Sequence, residues 1–151
     1  MLTLEKKIPP LLLFAGFAVL IWLTASWPAP WPLWFSRLLA VLLTLDGLVF
    51  CGWALWQFRQ ANTTVDPRYP EKTQVLVTNG LYRFSRNPMY LGFLLLLTAL
   101  VFWLHQLSGF LWLPCFVLWL HYWQIIPEER QLATQFGEQW QQFCQRTRRW
   151  L

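Results

Sequence analysis

Charge is what this chain has least of. Asp, Glu, Lys and Arg make up 13% of its 151 residues, where a soluble domain carries about a quarter. Long uncharged runs take the place of that charge, and 56% of the residues are hydrophobic. An ordinary water-soluble domain is excluded, and an integral membrane protein is indicated. Cysteine is also sparse: Cys51 and Cys115 lie in apolar runs and Cys144 follows them. Three scattered thiols form no CxxC and no ligand spacing, so they read as small buried hydrophobes and no metal is expected. There is no internal repeat and no low-complexity segment. Lys6 and Lys7 precede the first apolar run as in a signal sequence, but the run is too long for one and no Ala-x-Ala site follows, so it reads as an uncleaved anchor.

Tryptophan, by contrast, is abundant, with 12 residues. Trp27, Trp31 and Trp34 cluster between the first two apolar runs, and Trp53 and Trp56 end the second. Trp103 and Trp112 flank the junction of the last two, and Trp119 and Trp123 lie near the final exit. Indole rings favour the headgroup zone, so this placement outlines two interfacial belts. The apolar runs predict an all-α bundle of about four transmembrane helices in a single membrane domain over 1–151, with spans near 8–27, 36–58, 89–104 and 107–126. Pro9 and Pro10 suit the first turn of the first span. The third has about 16 residues, or roughly 24 Å of helix against a core of ~30 Å. Pro114 predicts a kink in the fourth.

The net charge of +5 is distributed as a topology signal and as contacts for membrane lipids, not as a nucleic-acid footprint. With four spans, Lys6, Lys7, Arg59, Arg68, Lys72, Arg83, Arg86, Arg130, Arg146, Arg148 and Arg149 fall on one side and Arg37 on the other. The positive-inside rule then makes both termini and the 59–88 segment cytoplasmic, as in a multi-pass protein of a bacterial inner membrane. After Pro127, the apolar residues Leu132, Phe136, Trp140 and Phe143 recur at helical spacing among polar neighbours, which predicts an amphipathic interfacial helix.

Two polar constellations adjoin the spans. The first runs from Leu76 to Gly92 and ends in Arg86-Asn87-Pro88-Met89-Tyr90-Leu91-Gly92. Gly80 permits a turn, and Pro88 fixes the entry to the third span. Arg and Tyr at a helix start also serve as plain depth anchors. The second is Pro127-Glu128-Glu129-Arg130 with Phe136-Gly137 downstream. Paired carboxylates suit any helix N-terminus. Gly137 is unusual inside a helix, and close approach of another group would account for it. Only His105 and Gln106 separate the third and fourth spans, so a tight hairpin brings the two constellations to one mouth.

Together they resemble the isoprenylcysteine carboxyl methyltransferases and phospholipid N-methyltransferases. In that family a G-x-Y-x-x-x-R-H-P-x-Y-x-G segment precedes one span and an E-E-x-x-L-x-x-x-F-G-x-x-Y segment follows the next. Here they read Gly80, Tyr82, Arg86, Asn87, Pro88, Tyr90, Gly92, then Glu128, Glu129, Leu132, Phe136, Gly137, Trp140. The resemblance covers about residues 62–151. It implies a methyltransferase using S-adenosyl-L-methionine, with a lipophilic acceptor entering from the bilayer and cofactor-site segments at 72–92 and 124–140. The implied cofactor contacts are Gln74, Val75, Leu76, Val77, Tyr82, Asn87, Pro88, Met89, Tyr90, Glu128 and Glu129. Asn87 replaces the family's His and removes a titratable group. Gln124 stands where the isoprenylcysteine enzymes carry an Arg facing the substrate carboxylate, which leaves a phospholipid amine as the alternative acceptor.

The catalytic residue is left open among His121, Gln124 and Arg86. His121 serves equally as a base or as a hydrogen-bonded bundle histidine. Asp46 lies mid-span, where a carboxyl is costly; the plain expectation is a protonated acid bonded to a neighbouring helix. A non-catalytic lipid-binding or assembly protein on the same bundle is the rival reading.

Overall fold

Proline and glycine punctuate the chain where its helices begin and turn. The computed structural model describes residues 8–60 and 75–151. Its helices are α1 (Pro10–Leu23), α2 (Leu33–Gln60), α3 (Pro88–Trp103), α4 (Trp112–Leu120), α5 (Ile126–Phe136) and α6 (Glu138–Arg146). Short 3₁₀ turns lie at Gly80–Arg83 and Ser108–Leu111, and a π turn at His121–Ile125 joins α4 to α5. Pro10 and Pro88 sit at the first positions of α1 and α3, where a missing N–H costs nothing. Among the described residues the regular structure is helical, apart from one isolated bridge between Pro28 and Gln106.

The four apolar runs are present, but they are not four equal spans. Two helical stretches are long and apolar enough to cross a membrane: α2, with 28 residues, and the continuous run Ser108–Phe136, with 29. α1 has 14 residues and α3 has 16, or about 21 and 24 Å at 1.5 Å per residue. The expectation of four spans is corrected to two of full length. α3 stops at Trp103, and His105 just beyond it takes φ +51°, in the left-handed region that ends a helix. α1 stops at Leu23, and Trp27, four residues on, also has a positive φ, +56°.

The two turns clasp each other at one end of the bundle. Leu107 N–H donates to Trp27 O (2.8 Å) and Ala29 N–H to His105 O (3.1 Å). Ser108 Oγ donates to Thr24 O at 2.8 Å, and Trp112 Nε1 to Thr24 Oγ1 at 2.8 Å. Arg37, the one cation predicted for this side, lies 4.0 Å above the Trp103 ring. The successive stretches therefore run antiparallel. Residues 58, 82, 90 and 128 meet at the opposite end.

Glycine sets the closest helix crossing. A Cβ on Gly92 would lie 2.5 Å from Cys51 Sγ and 3.0 Å from Gly47 O, and one on Gly47 would lie 3.0 Å from Gly92 O. α2 and α3 meet there backbone to backbone, as small residues allow in membranes. The main core lies on the other side of α3. Phe17, Ile21, Leu97, Val101, Phe116 and Leu120 are buried together there.

Two further expectations change. Pro114 does not kink a helix; it falls in the first turn of α4, directly after a 3₁₀ turn. The irregularity comes later, at the π turn, where Ile126 N–H reaches back five residues to His121 O. Pro127 follows immediately and has no N–H to give, so a locally widened helix suits that position. The predicted single amphipathic helix is also two helices. Gly137 breaks it at φ 49° and ψ −116°, a conformation that residues with a Cβ rarely adopt. A Cβ there would meet no atom within 4 Å, so the conformation, and not a close approach, calls for glycine. Asp46 is corrected too. It lies on the exposed side of α2 and bonds no neighbouring helix among the described residues.

Candidate active site

The residues ahead of α3 are held by α2. Gln57 is 9% exposed on the last turns of that helix. Its Nε2 donates to Asn79 O at 2.7 Å, and its Oε1 accepts from Leu81 N–H at 3.2 Å. Gly80, at φ +60°, makes room for this amide; a Cβ there would overlap the Gln57 side chain. Gly80→Ala is therefore expected to cost about 1–2 kcal/mol from the left-handed backbone alone, with the Gln57 clash added. The measurement is a fall of several degrees in the unfolding midpoint in detergent. An unchanged midpoint contradicts this account of the loop.

Tyr82 follows on the 3₁₀ turn. It is buried with Ala54, Trp140 and Phe143, and its ring meets Phe58 edge-on at 5.4 Å. Burial pushes its phenol far above the usual range, and the nearby Glu128 charge adds to this. Tyr82 is therefore a neutral packing and lining residue. Met89 packs against both clusters. Tyr90, 6% exposed, directs its hydroxyl across the hairpin to donate to Glu128 Oε2 at 3.1 Å. This contact joins the two predicted constellations across 38 residues of sequence. A narrow cleft of about 40 Å³ is lined by Phe58, Tyr82, Arg86, Asn87, Met89, Tyr90 and Glu128. A wider cavity of about 540 Å³ is lined by Leu76, Asn79, Arg83 and Phe143 among others.

The second carboxylate does a different job. Glu129 pairs with Arg86 at 3.1 Å and with Nε and Nη2 of Arg149. This side-on, two-point contact is the strong geometry for an arginine and a carboxylate. The hydrogen bonds to Glu129 hold the Arg149 guanidinium above its ordinary range, against the opposite effect of burial. The chain's last residues are thereby drawn over the loop. Arg86 N–H donates to Arg148 O at 3.0 Å, and the Asn87 side-chain amide donates to Arg149 O at 3.0 Å. Arg86 also lies 5.6 Å from the centre of the Trp140 ring. Burial raises the Cys144 thiol above its usual range even though the Arg86 charge opposes this, so it is not an activated nucleophile.

The remaining predicted residues divide. Val75, Leu76 and Val77 form an irregular strip ahead of Gly80, with Val75 exposed. Gln74 lies outside the described residues. Pro88 is buried at the start of α3. Gln124 is 1% exposed in the π turn; its Nε2 donates to Ile8 O at 2.6 Å, while its Oε1 is buried without a partner. His121 is half-buried with its ring edge-on to Tyr122, and no hydrogen bond or ion pair links it to Tyr90 or Glu128. The residue the sequence reading passed over is Arg149. It is one of two arginines after α6 and is not distinguishable there from a topology charge.

The geometry above falls within a known family pattern. The phospholipid methyltransferase family model matches residues 35–139. The chain belongs to that family. The match takes in α2, the Gly80–Gly92 loop, the hairpin and Glu128–Glu129, which makes this a membrane methyltransferase of the lipid-acting kind. A Haemophilus influenzae protein described as uncharacterized is 38% identical over 63 residues, 42% of this chain and all of that protein. No solved structure matches.

Proposed function

We propose that the protein transfers a methyl group from S-adenosylmethionine to a lipophilic acceptor that enters from the bilayer. The observation that carries this reading is the Tyr90–Glu128 contact at the mouth of the α3–α4 hairpin. The cleft residues suit the cofactor chemically. Glu128 offers a carboxylate to a ribose diol, and Tyr90 fixes its orientation. Phe58 and Tyr82 supply aromatic lining, and Asn87 supplies an amide that stays uncharged at every pH. Arg86 lines the same cleft, and its Nε is buried without a partner; a carboxylate on the ligand would satisfy it. S-adenosylmethionine, when bound, supplies a methyl group on a sulfonium, open to in-line attack. Residues that fix its position therefore provide much of the catalysis. Glu129 and Arg149 act at one remove, by holding the C-terminal residues against Arg86 and Asn87.

The excess of Lys and Arg around 59–88 and after Pro127 supports a cytoplasmic mouth. There a water-soluble cofactor meets an acceptor dissolved in lipid. One observation favours a phospholipid amine over an isoprenylcysteine carboxylate. Gln124 carries no positive charge and commits one N–H of its amide to Ile8 O, so it offers a carboxylate no ion pair.

Titration calorimetry of the detergent-solubilised protein with S-adenosylhomocysteine tests the cofactor assignment. Saturable heat and a raised unfolding midpoint are expected. No heat and no shift would favour the non-catalytic bundle instead.

A further inference from the structure

One side of α2 packs on α3, and the other is bare. Leu38, Leu42, Leu45, Val49, Trp53 and Trp56 are each about half exposed along it. In a bilayer such a face needs nothing but lipid. Asp46 spoils that account, because it is exposed on the same side. It lies near the midpoint of Leu33–Gln60, about 20 Å from either end at 1.5 Å per residue. A long Lys or Arg side chain reaches headgroups by snorkelling. The short carboxyl of Asp46 does not. Neither Arg37, stacked on Trp103, nor any other described cation pairs with it. An acid held at mid-depth with no partner among the described residues calls for one from outside.

We infer that the exposed face of α2 is the contact surface for a second copy of this chain, with the two Asp46 carboxyls bonded to each other across a two-fold axis along the membrane normal. Two copies inserted in the same orientation carry Asp46 at the same depth. A neutral carboxyl is also its own complement: each donates its O–H to the carbonyl oxygen of the other, and no charge remains in the hydrocarbon. A two-fold contact of this kind uses one patch twice, as isologous dimers do. Gly52 leaves open space on the exposed side, since a Cβ there would meet no atom within 4 Å. That openness lets a partner helix approach. The inference does not depend on the methyl-transfer reading and requires only that α2 crosses a bilayer.

Full-length protein carrying one fluorophore, reconstituted into phosphatidylcholine–phosphatidylglycerol liposomes at falling protein density, tests it by photobleaching steps. Two-step spots are expected for the wild type. Asp46→Leu should need roughly three- to thirtyfold higher density to associate, the range expected for losing an interhelical hydrogen bond. Asp46→Asn keeps a donor and an acceptor and should associate like the wild type, which separates lost pairing from lost folding. In a Cys51→Ser, Cys115→Ser, Cys144→Ser background, Val49→Cys should form an oxidised dimer, and Leu118→Cys, exposed on α4, should not. One-step wild-type spots at every density would leave the face to lipid or another protein and overturn the inference. So would an Asp46→Leu variant that associates like the wild type, or equal cross-linking at positions 49 and 118.

Discussion

Glu128→Ala is expected to weaken S-adenosylhomocysteine binding by roughly a hundredfold or more. A hydrogen bond to a charged group contributes about 1.5–3 kcal/mol. Two of them, from a ribose diol to one carboxylate, amount to a factor of that size in Kd. Tyr90→Phe keeps the buried ring but removes the hydroxyl that bonds Glu128 at 3.1 Å. It should cost about tenfold, the value of one such contact. Tyr90→Ala also empties the space beside the cleft and should abolish binding. The measurement is calorimetric titration of each variant beside the wild type, with the unfolding midpoint as a control. If Glu128→Ala binds as tightly as the wild type and melts at the same temperature, the carboxylate is not part of the cofactor site.

Gly92→Ala should lower the stability of the whole bundle. The added methyl group would lie 2.5 Å from Cys51 Sγ, 3.0 Å from Gly47 O and 3.1 Å from Cys51 N. The last two are backbone atoms of α2, so relief requires the helices to part. Overpacking against backbone falls at the upper end of the usual cost, about 2–3 kcal/mol, which exceeds the helix-propensity gain of about 1 kcal/mol that alanine brings. A drop of roughly 2–8 °C in unfolding midpoint follows for a chain of this size. Activity should fall with it, because Tyr90 lies half a turn before Gly92 on the same helix. Cys51→Ala in the same chain removes the nearest obstruction and should restore part of the loss, as residues in direct contact do in double-mutant cycles. Additive effects, or an unchanged midpoint for Gly92→Ala alone, would contradict the crossing.

The sequence alone was enough to read a helical membrane protein, the hairpin at His105–Gln106, and the two polar segments that belong together. Hydropathy is a local property, and the motif residues keep their spacing along the chain. The number of full-length spans was not legible. Whether an apolar run continues or turns depends on the clasp between distant turns, where Trp27 and His105 take positive φ angles. The break at Gly137 was half legible: glycine marked the place, but only the backbone angles show that it divides the helix. Glu128 and Glu129 look equivalent on paper. Tertiary structure separates them, because the side chains at successive helical positions point about 100° apart, one toward Tyr90 and the other toward Arg86 and Arg149. Arg149 and Asp46 show the same limit from opposite sides. One is a surface-like charge that folding draws into the site, and the other is a mid-span acid that folding leaves facing outward. A side chain's partner is a property of three-dimensional packing, and nothing in its position along the chain encodes it.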